Sequence, residues 1–129
     1  KSYIFKKENR EFSMGDMCRG IVCDDSEHDT WSHNNNTFND DIRYFGEGEM
    51  TLVENGSLCA TLKSVTKSGK SVLKKYYTLY KNDAKLYIRC ILDTDEEYKL
   101  IKLSFPVNIE NPKAVYSMPY GFIEKKTNK

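Results

Sequence analysis

The chain has 129 residues, 39% hydrophobic and 30% charged, with a formal net charge of +1, the composition of a soluble globular protein with a single core rather than of a disordered or membrane one. Its 20 Lys and Arg are interleaved with 19 acidic residues, which argues against the concentrated basic face of a nucleic-acid binder. No apolar run approaches the roughly 20 residues of a membrane-spanning helix, so neither nucleic acid nor membrane is expected as a partner.

The opening KSYIFKKENREF lacks the apolar core of a signal peptide, and there is no initiator Met. A chain that starts at Lys1 and closes on EKKTNK is expected to be a piece of a longer protein, and the expected location is cytoplasmic. CRGIVC reads as a short strand. Asp24 to Asp41 is polar and lacks periodicity, so it is expected to be a long ordered loop, a kind that is often functional or held by a neighbour.

From Gly46 to Ile123 the dominant signal has period two, the mark of strands with one buried face. Asn55-Gly56 separates GEMTLVE from SLCATLKSV as a hairpin whose residues tolerate positive φ. Ser68-Gly69-Lys70 marks the next reversal, and Asn82-Asp83 divides VLKKYYTLY from AKLYIRCIL. In that last run Leu86, Ile88, Cys90 and Leu92 form the apolar face, opposed by Lys85, Tyr87 and Arg89. The acidic Asp93 to Glu97 leads to YKLIKLSFPVNI, with Ile101, Leu103, Phe105 and Val107 on one face and Pro106 at a bulge or edge. Asn111-Pro112 then leads to AVYSMPYGFI. The expected fold is all-β, a meander of six strands closing into an antiparallel β-sandwich, one domain over residues 1–129.

Four cysteines allow three pairings, but Cys59 and Cys90 lie inside apolar runs, and reduced core thiols are the expected state. Sequons at Asn35-Asn36-Thr37 and Asn55-Gly56-Ser57 matter only in a secreted protein. Asp24, Asp25, Glu27, His28, Asp29 and His33 crowd around Trp31, yet their spacing matches no familiar metal site. A linear cluster of carboxylates also does not establish the facing pair that glycoside cleavage needs. There is no G-x-S-x-G elbow, and Gly46-Glu47-Gly48-Glu49 enters a strand with acidic residues that repel phosphate. The nine tyrosines and six phenylalanines could stack on sugars or simply fill strands.

Four segments in order carry a resemblance: His28-Asp29-Thr30-Trp31-Ser32-His33, LVENGSLCATL, YKLIKLSFPVNI and AVYSMPYGFIEK. Together, across roughly Asp24 to Lys126, they resemble the β-rich domains that follow the catalytic domain in the α-mannosidases of glycoside hydrolase family 38. The first segment is similar to an aspartate-threonine-tryptophan-glycine-histidine loop, with Ser32 where glycine is frequent. The second has Asn55-Gly56-Ser57 where a Gly-Pro hairpin is usual, and the third is similar to a strand ending in phenylalanine-proline.

The resemblance implies a galactose-mutarotase-like supersandwich. It also implies a parent that hydrolyses α-mannosides with retention, using an aspartate nucleophile and zinc or another divalent metal in a separate catalytic domain. No segment here matches those motifs, so no catalytic residue, metal ligand or cofactor is expected in this chain, and alone it is expected to be inactive. Its expected partners are the catalytic domain of the same chain and an α-mannoside, with self-association through any exposed interface. Asp29, Trp31, His33 and Tyr120 are the candidates for sugar contact. The plainer alternative has Trp31 plugging the sandwich edge and Asp29 capping its turn. A second functional reading is an independent carbohydrate-binding module, which predicts an exposed aromatic platform.

Overall fold

The protein's structure, a computed structural model, describes residues 3–13, 15–27, 31 and 38–126. Among them are strands β1 (Ile4–Phe5), β2 (Arg10–Glu11), β3 (Arg19–Asp24), β4 (Asp41–Tyr44), β5 (Met50–Asn55) and β6 (Cys59–Ser68). There follow β7 (Ser71–Tyr80), β8 (Leu86–Asp93), β9 (Lys99–Ser104), β10 (Lys113–Met118) and β11 (Gly121–Lys126), and no helix occurs among the described residues. Every strand pairing is antiparallel, as the period-two pattern requires. The chain divides into two compact units, Cys18–Phe105 and the combination of Lys1–Met17 with Pro106–Lys129.

The Cys18–Phe105 unit contains a three-stranded sheet, β4-β3-β9, and a four-stranded meander, β5-β6-β7-β8. Val22 of β3, Phe45 just after β4 and Leu73 of β7 form the buried cluster that joins the sheets, with Ile101 of β9 packed against it. Val22 and Ile101 are direct partners across β3 and β9, so one row of the small sheet faces Leu73. Burying each of the three large side chains stabilises the fold by roughly 1.5–3 kcal/mol. Gly20 lies against this cluster: a Cβ there would run into the Phe45 ring and crowd the Leu73 Cδ2. This unit is an antiparallel β-sandwich.

The β6–β7 hairpin closes through Gly69 and Lys70 between the partners Ser68 and Ser71, with Gly69 at φ +56°. A positive φ at the first of two turn residues is what a type II′ hairpin uses, and glycine supplies it without strain. The Asn55-Gly56 hairpin forms too, but neither residue has positive φ. The connection runs on through Ser57 and Leu58, and the Gly56 N–H donates to the Cys59 carbonyl at 2.8 Å.

Two expected strands differ in extent. YKLIKLSFPVNI pairs only as far as Ser104, because Pro106 has no N–H to continue the ladder, and Val107 makes an isolated bridge to Ser13 instead. AVYSMPYGFI is two strands, β10 and β11, reversing at Pro119-Tyr120 with Tyr120 at φ +70°. In the same unit β1 pairs with β2, and the Asn108 N–H donates to the Phe12 carbonyl at 3.0 Å.

The cysteines are all free, but their burial inverts the expectation: Cys18 and Cys23 are buried, whereas Cys59 is partly buried and Cys90 is exposed. The reason lies in the inner face of the four-stranded sheet. By alternation this face carries the rows Ser68–Ser71, Thr66–Leu73–Leu92, Met50–Ser64–Lys75–Cys90, Leu52–Leu62–Tyr77–Ile88 and Ala60–Leu79–Leu86. Burial is confined to the first three of these rows, in β6 and β7. The expected apolar face of β8 therefore exists, yet most of it lacks cover.

Candidate functional site

Three features of the Cys18–Phe105 unit carry its surface chemistry. The first is a polar cleft of about 450 Å³ lined by Arg43, Gly69, Lys70, Asp95, Glu96 and Glu97. The β6–β7 turn presents Gly69 and Lys70, and the acidic connection from β8 to β9 presents the carboxylates. Arg43 of β4 donates to the Glu96 carboxylate and to the Ser68 Oγ at 3.0 Å. Glu96 also accepts the Lys70 N–H at 3.1 Å and the Ser71 hydroxyl at 3.2 Å. The guanidinium holds the Glu96 carboxyl below its usual range. Glycine suits the positive φ at position 69, and a Cβ there would push Glu96 Oε1 and the Arg43 guanidinium out of this arrangement. The network ties the small sheet to the meander. Lys70 and Asp95, mostly exposed and 3.9 Å apart, remain as the outward-facing donor and acceptor.

The second feature is the base of the Asp24 to Asp41 segment. The Asp24 N–H donates to the Asp40 carbonyl at 2.9 Å, and two lysines of β9 clamp the ends, Lys99 to Asp24 at 2.9 Å and Lys102 to Asp41 at 3.0 Å. The Lys99 ammonium and the Ser26 hydroxyl pull the Asp24 carboxyl down to about 2. Asp41 is likewise lowered, first by the Cys23 thiol that donates to it at 3.1 Å and then by Lys102. A small pocket of about 180 Å³ opens between Asp24, Ser26, Glu27 and Asp40.

The third is the open end of the meander's inner face. Leu52 is 58% exposed, Leu62 39% and Leu79 44%, and register places them on adjacent rows with Ala60, Tyr77, Leu86 and Ile88. Scattered surface leucines are ordinary, but two adjoining apolar rows across a sheet form a patch of the kind that marks an interface.

Chemically, the carboxylates held in these networks are structural anions. Asp24, Asp41, Asp83 and Glu96 are all lowered, the opposite of the raised carboxyl that serves as a glycosidase general acid. Among the described residues no group of three or more His, Cys, Asp or Glu could hold a metal ion.

Of the residues singled out in the sequence, Asp29, His28 and His33 lie outside the described residues, as does the sequon at Asn35. Trp31 occupies a turn and is 82% exposed, too open to plug the edge of the sandwich. Tyr120, in the other unit, stands fully exposed at the tip of the β10–β11 turn. The Arg43 cleft was not foreseen, and the exposed interface expected from the resemblance had no residues assigned to it. Turn signals located Gly69 and the acidic connection, but nothing in the sequence around Arg43 marks it as their partner.

Residues 2–129 match the glycosyl hydrolases family 38 C-terminal domain. No curated protein matches the chain. The match covers nearly the whole sequence and agrees with the all-β architecture, so the chain belongs to the family of glycosyl hydrolase family 38 C-terminal domains.

Proposed function

We propose that this is a non-catalytic β-sandwich domain of a larger α-mannosidase, which docks on the catalytic domain of the same enzyme and helps to wall its sugar cleft. The observation that carries this reading is the open apolar end of the meander, Leu52, Leu62 and Leu79 with their half-buried row partners. An enzyme surface covering these rows would remove them from water, at roughly 25 cal/mol for each Å² of apolar area.

In this reading the parent cleaves α-mannosides with retention, and its divalent metal belongs to the catalytic domain. The described residues here supply no donor set that fits a metal, so no step is routed through one. The part played by this chain is positional: the Arg43–Glu96 network anchors the β8–β9 connection, and Lys99 and Lys102 clamp Asp24 and Asp41. Asp29, Trp31, His33 and Tyr120 are proposed as contacts to the mannoside. The open face would also let the chain self-associate when it is alone.

The test is to place Leu62→Glu and Leu79→Glu together in the complete enzyme. The expected result is loss of domain assembly and of mannoside hydrolysis while the 129-residue chain carrying the same changes still folds. Full activity in the double variant would overturn the reading.

A carbohydrate-binding module is the second reading, favoured by the 82% exposure of Trp31. An NMR titration of the chain with a short α-mannoside separates the two. Saturable shifts of the Trp31 indole support the module, and no shift at millimolar sugar removes it.

A further inference from the structure

The inner-face row that divides the covered end of the meander from the open end terminates at Cys90 of β8. Its Sγ lies 3.4 Å from the Sγ of Cys18, which immediately precedes β3 of the opposite sheet. Cys18 is fully buried, whereas Cys90 is exposed. Lys75, the β7 partner of Cys90, is buried and donates from Nζ to the Cys18 carbonyl at 3.2 Å, placing an ammonium beside the pair. The other two thiols are engaged elsewhere: Cys23 donates to Asp41 and to the Phe38 carbonyl, and Cys59 lies beside Glu54.

We infer that Cys18 and Cys90 form a redox-sensitive modification site, at which exchange with a small-molecule disulfide closes a cross-link between the two sheets. A disulfide needs an S–S distance of about 2.05 Å, so the sulfurs must approach by about 1.4 Å from their 3.4 Å contact. The order of events follows from access. Burial, with the contact to Cys90, pushes the Cys18 thiol up to about 12, so the exposed Cys90 is the first nucleophile. Its thiolate attacks one sulfur of the external disulfide, forming a mixed disulfide and expelling one thiolate. Cys18 then loses its proton to solvent as its sulfur attacks the Cys90 Sγ, forming the internal bond and expelling the second thiolate. Two protein thiols are oxidised and one external disulfide is reduced to two thiols.

The bond would close a loop between positions 72 apart in sequence, which restricts the unfolded chain strongly. The test equilibrates the 129-residue chain with oxidised glutathione and follows it by intact mass, peptide mapping and thermal melting. The expected result is loss of two hydrogen atoms, a Cys18–Cys90 cross-linked peptide, and a melting temperature higher by about 10 °C that returns to its starting value with dithiothreitol. Cys90→Ser, at an exposed position, should abolish all three changes, and Cys59→Ser should leave them intact. A cross-link mapping to Cys23 or Cys59, a reaction that stops at glutathione on Cys90, or a melting temperature that does not rise would each overturn the assignment.

Discussion

The two ends of one sheet face are built in opposite senses. At the end beneath the small sheet, Ser64, Thr66, Ser68, Ser71 and Lys75 are buried around Leu73, whereas at the other end Leu52, Leu62 and Leu79 face solvent. The covered polar groups are tolerated because they are bonded: Thr66 to the Leu73 carbonyl at 3.3 Å, Ser71 to Thr94 at 2.8 Å, and Lys75 to the Cys18 carbonyl at 3.2 Å. A sheet that covers its polar end and bares its apolar end reverses the arrangement that the hydrophobic effect favours in a self-sufficient domain. This contrast is the ground on which the open end is proposed above as a docking surface.

The largest effect should come from the covered end. Leu73→Ala is expected to cost about 3 kcal/mol in urea denaturation, because its neighbours Val22 and Phe45 cannot close the cavity. Leu79→Ala at the open end should cost less than about 1 kcal/mol, since little packing is lost where solvent already reaches the side chain. Equal losses at the two positions would break the comparison.

Next in size, Gly20→Ala should destabilise by roughly 1–3 kcal/mol by forcing Phe45 and Leu73 apart, measured as a fall in the urea midpoint. An unchanged midpoint would show that the sheets are not in tight contact there.

Acid should act on the loop clamps. Asp24, Asp41 and Glu96 have folded values below their unfolded ones, so their contribution is complete above the ordinary carboxylate range, near pH 4, and is lost as pH falls through the folded values. The urea midpoint should therefore fall from about pH 4 downward, with the Asp24 part persisting to about 2. Asp24→Asn should remove the lowest part of that fall. A midpoint flat down to pH 2 would contradict the clamps. The smallest effect is that of Lys70→Ala in the cleft, expected within about 0.5 kcal/mol because its partner Asp95 is almost fully solvated.

Much of this was legible in the sequence. Alternation located β6, β7, β8 and β9 to within a few residues, and Ser68-Gly69-Lys70 identified a reversal whose glycine does adopt positive φ. The Pro119-Tyr120 reversal was missed although Pro119 and Gly121 are turn residues, because the position that takes φ +70° is a tyrosine, which rarely adopts it. Short β1, β2 and β4 carry too few residues for periodicity to register. The cysteine expectation failed because alternation says which face of a strand is apolar and says nothing about what lies above it. The Arg43 network was out of reach for the same reason: its partners, Ser68 and Glu96, lie 25 and 53 positions away and meet only once both sheets are packed.

The measurement that bears most directly on the account is hydroxyl-radical footprinting of Leu62, Tyr77 and Leu79 in the 129-residue chain and in the complete enzyme. All three should react readily in the chain alone and be strongly protected in the enzyme, while Trp31 stays reactive until sugar is added. Equal reactivity of the three side chains in both forms would contradict it, because the open rows would then have no cover to explain them.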